Sequence, residues 1–197
     1  MKKLLLLVPL AILIVGCGGK ADYFPLTVGN VWNYTTIKTT TMTTPDTSWS
    51  DTTTMKTEIT QETTLDNETS VFEYVTTIDT YVGTTYIQET DEYILEYENK
   101  ADTEPDTSLA LPIEEGKTWT VRKDSAYTFT AVVLGKESVT VPAGTYDDCW
   151  KIGYITDNDT VFSYLAPDIG MVKNYYKHED SLSTVEQTTE LENATIK

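Results

Sequence analysis

The sequence predicts an all-β protein: one strongly curved antiparallel sheet of about 11 or 12 strands, a half-barrel or open barrel, after an N-terminal lipoprotein signal peptide. Threonine fills 37 of the 197 positions and tyrosine 13, and β-branched and aromatic side chains favour strands. Short β-prone segments recur between clusters of turn residues. After residue 16, no segment shows an apolar helical period. A single sheet with this many antiparallel strands has to curve strongly.

The N-terminus has the pattern of an export signal. A basic start, Met1–Lys3, precedes the apolar run Leu4–Val15, which is shorter than the roughly 20 residues that a membrane-spanning helix needs. Its end, Ile14-Val15-Gly16-Cys17, resembles the lipobox of bacterial lipoprotein precursors. This resemblance implies removal of residues 1–16 and lipidation of Cys17, where two or more acyl chains give stable anchoring. The alternative is an uncleaved anchor with an incidental cysteine.

The expected location is extracytoplasmic, with the protein held to a membrane by its N-terminal lipid. Residues 17–23 form the lipidated cysteine and a short tether, which spans at most about 20 Å. Residues 24–197 form a single β domain of two strand-rich halves, 24–110 and 111–197. The residue after the cysteine is Gly18 and not an acidic residue. In enterobacterial lipoproteins, which this pattern resembles, such a residue implies transfer to the outer membrane, if the host has one.

The charge of the chain excludes one class of partner. The sequence has 14 basic and 31 acidic residues, and removal of Lys2 and Lys3 with the signal leaves 12 basic residues and a net charge of −19. A nucleic-acid binder needs a basic face, so no nucleic acid is expected. The charge should also keep the domain monomeric and away from an anionic lipid surface.

The first half contains five candidate strands, at residues 30–43, 49–63, 70–79, 81–90 and 92–98, and a loop with Pro105-Asp106 closes it. In the last strand, alternation predicts Tyr93, Leu95 and Tyr97 on one face and Ile94 with Glu92, Glu96 and Glu98 on the other. Half of residues 35–64 are threonine. Because apolar residues punctuate this stretch, we expect a long twisted hairpin, with a glycosylated stalk as the alternative.

The second half contains seven candidate strands, at residues 119–123, 127–134, 137–141, 149–156, 160–166, 171–178 and 182–196. Alternation predicts two rows of inward-facing side chains. The first row contains Tyr127, Phe129, Ala131 and Val133, and the second contains Trp150, Ile152 and Tyr154. The aromatic side chains expected to face a ligand are Trp32, Tyr127, Phe129, Trp150 and Tyr154.

A near-repeat marks the start of each half. Residues 24–32, FPLTVGNVW, and residues 111–119, LPIEEGKTW, share an apolar-Pro-apolar-x-x-Gly-polar-x-Trp pattern. Glycine permits a tight turn with positive φ, and tryptophan begins a strand by burying a large ring. The repeat suggests a duplicated architecture.

Two further blocks carry a family resemblance. Residues 139–149, VTVPAGTYDDC, and residues 164–173, YLAPDIGMVK, resemble blocks of the TapB-like family of uncharacterised bacterial envelope proteins, in which the FPLxxGxxW opening also recurs. The resemblance implies an antiparallel half-barrel broadly like that of the Lol lipoprotein carriers. This chain lacks the lid helices of those carriers. Residues Pro142–Thr145 predict a corner with a helical turn. Both blocks consist of apolar, small and turn-forming side chains, which favour a structural role over a binding or catalytic site.

The sequence indicates no catalytic chemistry. Serine-hydrolase, phosphate-loop and zinc motifs are absent, and Asp157-Asn158-Asp159 suits a hairpin turn better than an EF-hand. With Cys17 lipidated, Cys149 has no disulfide partner and is expected to be a small buried side chain. We therefore expect no catalytic residue, no metal and no cofactor.

These features together predict a non-enzymatic envelope lipoprotein. The favoured hypothesis is that a concave aromatic sheet face binds an apolar small molecule or another envelope protein. The alternative is a structural or surface-display lipoprotein that interacts through its Thr-rich hairpin.

Overall fold

The computed structural model describes residues 21–123, 128–156 and 159–197, and their secondary structure is entirely strands and turns. The twelve strands are β1 (Val31–Thr43), β2 (Asp46–Thr64), β3 (Ser70–Ile78), β4 (Tyr81–Glu89), β5 (Tyr93–Tyr97), β6 (Asp106–Ala110), β7 (Thr118–Lys123), β8 (Thr128–Val141), β9 (Gly144–Ile155), β10 (Thr160–Ala166), β11 (Gly170–Glu179) and β12 (Ser183–Thr195). Residues 1–16, which the sequence predicts to be a signal peptide, lie outside the described residues, as do Cys17, Tyr127, Asp157 and Asn158.

The strands form one antiparallel sheet in the order β6-β5-β4-β3-β2-β1-β12-β11-β10-β9-β8-β7. The first and last strands of the chain, β1 and β12, pair along their length. The two ends of the sheet, β6 and β7, lie side by side without a backbone ladder between them in the described chain. The result is a nearly closed barrel with one unsealed seam, which confirms the predicted fold class.

Several strand boundaries differ from those that the sequence predicts. Strand β6 was expected to be a loop. Strand β8 is continuous where two strands were expected. The β8–β9 ladder is irregular between Val133 and Gly135, and Gly135 has a φ of +126°. This irregularity is a β-bulge, which bends a strand without ending it. Pro142 and Ala143 form a two-residue turn between Val141 and Gly144, so the expected corner with a helical turn is wrong.

The faces of β5 follow the expected alternation, with Ile94 and Glu96 on one face and Leu95 and Tyr97 on the other. Ile94 is 1% exposed and packs in the barrel core, while Tyr97 is buried in a separate cluster with Leu65 and Val71. Both faces of β5 are therefore covered by apolar side chains, and the irregular β5–β6 ladder between Ile94 and Leu95 accompanies this arrangement. Glu96, two residues after Ile94, lies on the core side of the strand.

The near-repeat has the same backbone geometry in both halves. Gly29 and Gly116 have φ values of +88° and +81°. The Gly29 N–H donates to Ile59 O at 2.7 Å, and the Gly116 N–H donates to Val133 O at 2.8 Å. The next residue closes the same tight turn each time: Asn30 N to Thr27 O and Lys117 N to Glu114 O. The two halves therefore begin with equivalent turns before β1 and β7.

The two halves of the chain meet at two junctions, β12 with β1 and β6 with β7, and these junctions are closed differently. A backbone ladder joins β12 to β1, whereas side chains join β6 to its neighbours across the seam. Trp119 Nε1 donates to Thr107 O at 2.9 Å, and Tyr154 Oη donates to Ser108 O at 2.9 Å. Arg122 Nε donates to Asp106 Oδ1 at 2.7 Å. Side-chain donors thus satisfy carbonyl groups that a neighbouring strand would otherwise bind.

One end of the barrel, which we call the base, is capped by the chain itself. The tip of the β8–β9 hairpin reaches β12, where Ala143 N donates to Leu191 O at 2.9 Å. Val139, Val141 and Cys149 of this hairpin join a core cluster with Trp32. The segment before β1 lies at the same end, because Asp22 exchanges two hydrogen bonds with Asp168 in the β10–β11 turn. The described chain therefore enters the barrel at its base.

Candidate functional site

Trp32 occupies a structural position. Its side chain is 4% exposed, its Nε1 donates to Ile169 O at 2.6 Å, and its ring lies 6.2 Å from that of Tyr74. The near-repeat places it at the start of β1, where the large ring fills the core near the base. Since neither its face nor its polar atom is free, Trp32 packs the barrel and is not a ligand-facing side chain in this state.

Phe129 and Tyr154 also pack against their neighbours inside the barrel. Their ring centroids lie 6.0 Å apart, and the Tyr154 ring meets Trp119 edge to face at 6.2 Å. Burial raises the pKa of Tyr154, and the nearby Glu96 raises it further, because both disfavour the phenolate. The Tyr154 hydroxyl is therefore a fixed donor to the seam carbonyl of Ser108.

One carboxylate lies among these interior aromatic rings. Glu96 Oε2 accepts a hydrogen bond from Ser108 Oγ at 3.1 Å, and its charge helps to raise the pKa of Tyr74 as well as that of Tyr154. In the part of the chain that the structure describes, every buried side-chain nitrogen and oxygen has a hydrogen-bond partner. Glu96 is thus hydrogen-bonded where it lies beside the interior rings.

Trp150 differs from Trp32, Phe129 and Tyr154 because it borders an open cleft at the base. This basal cleft has a volume of about 660 Å³, within the range of small-molecule sites. Its apolar wall is formed by Trp150, Tyr23 and the Leu111–Ile113 segment, and Asp22 and Glu89–Asp91 contribute carboxylates. Ala21, the first described residue, also lines it.

Three packed side chains form the inner end of the cleft. The Tyr23 and Trp150 rings meet edge to face at 6.3 Å. Lys136 Nζ lies 4.8 Å from the Trp150 centroid and 5.6 Å from that of Tyr23, distances at which a cation is attracted to an aromatic face. Tyr23 is held by its Oη, which donates to Asp148 O at 3.4 Å, and by the neighbouring Asp22–Asp168 pair.

The acidic side of the cleft carries three exposed carboxylates, those of Asp22, Glu89 and Asp91. Partial burial against its neighbours raises the pKa of Glu89, and the nearby Asp22 raises it further. Clustered carboxylates disfavour an anionic ligand at this side, while the aromatic wall favours an apolar body. The arrangement suits an amphiphile whose head group is neutral or cationic.

Sequence reasoning found only one residue of the cleft, Trp150. Tyr23, Lys136 and Glu89 were missed because they come from distant parts of the chain and no local spacing connects them. The near-repeat contained a usable signal: its second copy places Leu111, Pro112 and Ile113 at the same position before a strand as Phe24, Pro25 and Leu26. The structure brings these two copies to the base of the barrel.

Cys149 is fully buried, which agrees with the expected small core side chain. Its exposure is 0%, its Sγ lies 3.3 Å from Tyr146 O, and burial raises the pKa of its thiol to about 11. A thiol is reactive as the thiolate, so a thiol reagent should label native Cys17→Ser protein very slowly at about pH 8 and rapidly in urea. Prompt labelling of the native protein would contradict the buried position.

His178 links two turns at the opposite end of the barrel, which we call the mouth. Its Nδ1 lies 2.7 Å from Asp159 Oδ1 and its Nε2 lies 3.8 Å from Asp180 Oδ2. The hydrogen bond to Asp159, followed by the charge of that carboxylate, raises the pKa of His178. Protonated His178 therefore stabilises the folded state.

This pKa shift predicts a pH-dependent stability. The contribution of His178 is fully present below the unfolded pKa of about 6.5 and is lost as the pH rises through the higher folded pKa. Urea unfolding of wild type and His178→Gln should show a difference in midpoint below about pH 6.5 that shrinks on the alkaline side. The same difference at every pH would contradict the ion-pair origin.

Metal and membrane-spanning features are absent from the described ranges. Among residues 21–123, 128–156 and 159–197, no group of three or more His, Cys, Asp or Glu side chains could hold a metal ion. Within the same ranges there is no helix of the length and hydrophobicity that crossing a membrane requires.

Comparison with known proteins identifies a family. A search of curated proteins finds no match. The crystal structure of a Bacteroides fragilis protein described as exported and of YmcC-like fold shares 13% identity over 89% of this chain and 100% of that chain, with a TM-score of 0.54, so the fold is shared. A Parabacteroides distasonis protein described as a lipoprotein shares 16% identity over 89% of this chain and 99% of that chain, with a TM-score of 0.44. The DUF3108-like family matches residues 76–187, which is more than half of the chain, and the chain therefore belongs to the DUF3108-like family.

Proposed function

We propose that the protein is an exported, lipid-anchored envelope protein that binds a small apolar or amphiphilic molecule in the basal cleft, without enzymatic activity. The observation that carries the ligand proposal is the cleft of about 660 Å³ with an apolar wall of Trp150, Tyr23 and Leu111–Ile113. Of the other predicted aromatics that the structure describes, Trp32, Phe129 and Tyr154 pack inside the barrel, so Trp150 is the described member of the set that borders an accessible cleft.

The position of the cleft supports the anchoring part of the proposal. Cys17 precedes Ala21 by four residues, a distance of at most about 14 Å when extended, and Ala21 lines the cleft. A lipid on Cys17 would therefore hold the base, and the cleft with it, close to the membrane surface. Two proteins of similar length are described as an exported protein and a lipoprotein, which agrees with an extracytoplasmic location. A half-barrel like that of TapB-like proteins and Lol carriers would fit the binding of an apolar or amphiphilic molecule near a membrane.

The ligand proposal is tested with two fluorescent probes of similar shape and different charge. Neutral phenylnaphthylamine should bind the Cys17→Ser protein, and anionic anilinonaphthalene sulfonate should bind more weakly because Asp22, Glu89 and Asp91 face the cleft. Trp150→Ala should weaken binding of the neutral probe about ten-fold, since it removes a large part of the apolar wall.

The matched control is Trp49→Ala, because Trp49 lies on the Thr-rich hairpin and is 49% exposed. This substitution should leave probe binding unchanged. Equal loss of binding in both variants, or stronger binding of the anionic probe, would contradict a site in the basal cleft.

A second candidate function is partner binding through the Thr-rich hairpin of β1 and β2. The specific observation is that β2 continues beyond β3: its ladder with β3 begins at Met55, whereas its ladder with β1 begins at Asp46. The hairpin therefore projects past β3 at the mouth, with Trp49 exposed. The two candidate functions use opposite ends of the barrel and are compatible.

A further inference from the structure

We propose that the free edge of β2, Asp46–Thr53, binds an extended segment of another envelope protein that carries basic side chains, by adding a strand to the sheet. This proposal rests on the second candidate function and names the partner class for the hairpin. Residues 46–53 have ladder partners on β1 alone among the described residues, and residues 46–52 are exposed. A strand edge of this length is a surface that another strand can extend.

One hydrogen bond of β1 and the β1–β2 register show which backbone groups of β2 face outward. Thr43 N donates to Leu182 O in the turn before β12, so odd-numbered residues of β1 direct their backbone groups toward β12 and even-numbered residues direct theirs toward β2. The register pairs Thr40 with Trp49 and Lys38 with Asp51. Odd-numbered residues of β2 therefore bond to β1, and the N–H and C=O groups of Asp46, Ser48, Ser50 and Thr52 face away from the sheet.

The end of the free edge confirms this assignment independently. Thr54 is the next even-numbered residue of β2, so its backbone groups should also face away from β1. They do, because Asp79 N donates to Thr54 O at 3.2 Å and Thr54 N donates to Asp79 Oδ1 at 3.3 Å. Asp79 thus closes the series where β3 ends. An added strand would continue the bonding that Asp79 begins.

The side chains beside the edge favour a basic segment. Thr53 lies in a cross-strand row with Thr36, Thr189 and Asn174 that leads to the core. Asp51 and Trp49, two and four residues before Thr53, therefore share its concave face. A lysine or arginine of the added strand on this face would meet both the Trp49 ring and the Asp51 carboxylate. Cation–π and ion-pair contacts would then add to the main-chain bonds.

The same charges disfavour pairing with a second copy of this chain. Two β2 edges placed together would bring two acidic segments side by side, each with Asp46 and Asp51, in addition to the net charge of −17 on each full chain. Like charges across a strand pair are destabilising. The edge is therefore selective for a strand of opposite charge.

The test uses a capped peptide of alternating threonine and lysine, and a matched peptide of alternating threonine and glutamate, with the Cys17→Ser protein. The lysine peptide should shift the NMR signals of the Ser48, Ser50 and Thr52 amides and slow their hydrogen exchange, and added salt should weaken its binding. The glutamate peptide should produce no such shift. Trp49→Ala should weaken binding of the lysine peptide about five-fold.

Ser50→Pro is the decisive variant, because proline removes an outward-facing N–H and is tolerated at a free strand edge. It should lower the peptide affinity at least about ten-fold, whereas Ser50→Ala, which keeps the N–H, should leave affinity nearly unchanged. An N-methylated lysine peptide provides the same test without altering the protein. Neither substitution should change phenylnaphthylamine binding in the basal cleft, which separates failure of this proposal from failure of the ligand proposal.

Three results would overturn the proposal: equal affinity for both peptides, undiminished binding to Ser50→Pro or by the N-methylated peptide, and exchange protection of the same amides in a dimer without peptide. The last result would assign the edge to a second copy of the chain.

Discussion

Trp119→Ala should lower the free energy of unfolding by about 3–5 kcal/mol, the range for truncating a large buried aromatic side chain. Trp119 is 9% exposed and packs in the core cluster with Val121 and Ala131. Its Nε1 also donates to Thr107 O across the seam. The substitution therefore creates a cavity and leaves one β6 carbonyl without its donor. Urea unfolding of the Cys17→Ser protein measures the change.

Two further variants separate packing from the seam hydrogen bond. Trp119→Phe keeps a ring in the core but removes the indole N–H, and we expect it to cost about 1–3 kcal/mol for the unpaired Thr107 carbonyl in addition to the smaller ring. Trp49→Ala is the surface control and should stay within about 0.5 kcal/mol of the parent protein. A Trp119→Ala effect no larger than that of Trp49→Ala would contradict the buried position of Trp119.

The comparison with Trp32 bears on the duplicated architecture. Trp32 begins β1 as Trp119 begins β7, and its Nε1 donates to a backbone carbonyl in the same manner. Trp32, however, lies beside the junction that a backbone ladder closes, whereas Trp119 lies beside the open seam. Hydrogen exchange at β6 amides should therefore accelerate more in Trp119→Phe than in Trp32→Phe, because side-chain bonds are what hold β6 to its neighbours across the seam.

The sheet itself was predictable because its strands are short, Thr-rich and separated by turn residues. The misplaced boundaries have local causes. Strand β6 contains five residues and no aromatic side chain, so it resembled the loop around Pro105. Gly135 suggested a break because glycine weakens a strand, yet the bulge accommodates it within β8.

The candidate site was far less predictable than the fold. Trp32 and Tyr154 could be recognised as inward-facing from alternation, but alternation cannot distinguish a ring that faces a ligand from one that packs on other rings. Glu96 lies among Tyr74, Tyr154 and Ser108 because of strand register, which no single strand reveals. The basal cleft joins Tyr23, Glu89, Ile113 and Trp150 only after the sheet has closed.

Cys17→Ala should abolish incorporation of labelled palmitate and release the protein from the membrane fraction. Cys17 follows the apolar run Leu4–Val15 within the lipobox-like Ile14-Val15-Gly16-Cys17, and a chain without its acyl groups loses about 0.8 kcal/mol of membrane affinity for each methylene that would have been buried. The described strands offer no alternative thiol at the surface, because Cys149 is 0% exposed. Palmitate labelling of cells followed by fractionation measures both effects.

Cys149→Ala is the matched control, since it removes the other cysteine of the chain and should leave labelling and membrane association intact. Loss of label in this variant, or equal labelling of wild type and Cys17→Ala, would contradict anchoring at Cys17.

Anchoring at Cys17 would also determine what the two candidate binding sites can reach. With a tether of about 20 Å at most leaving from the base, the basal cleft would face the membrane and its amphiphiles. The β2 edge at the mouth would face away from it, toward extended segments of other proteins.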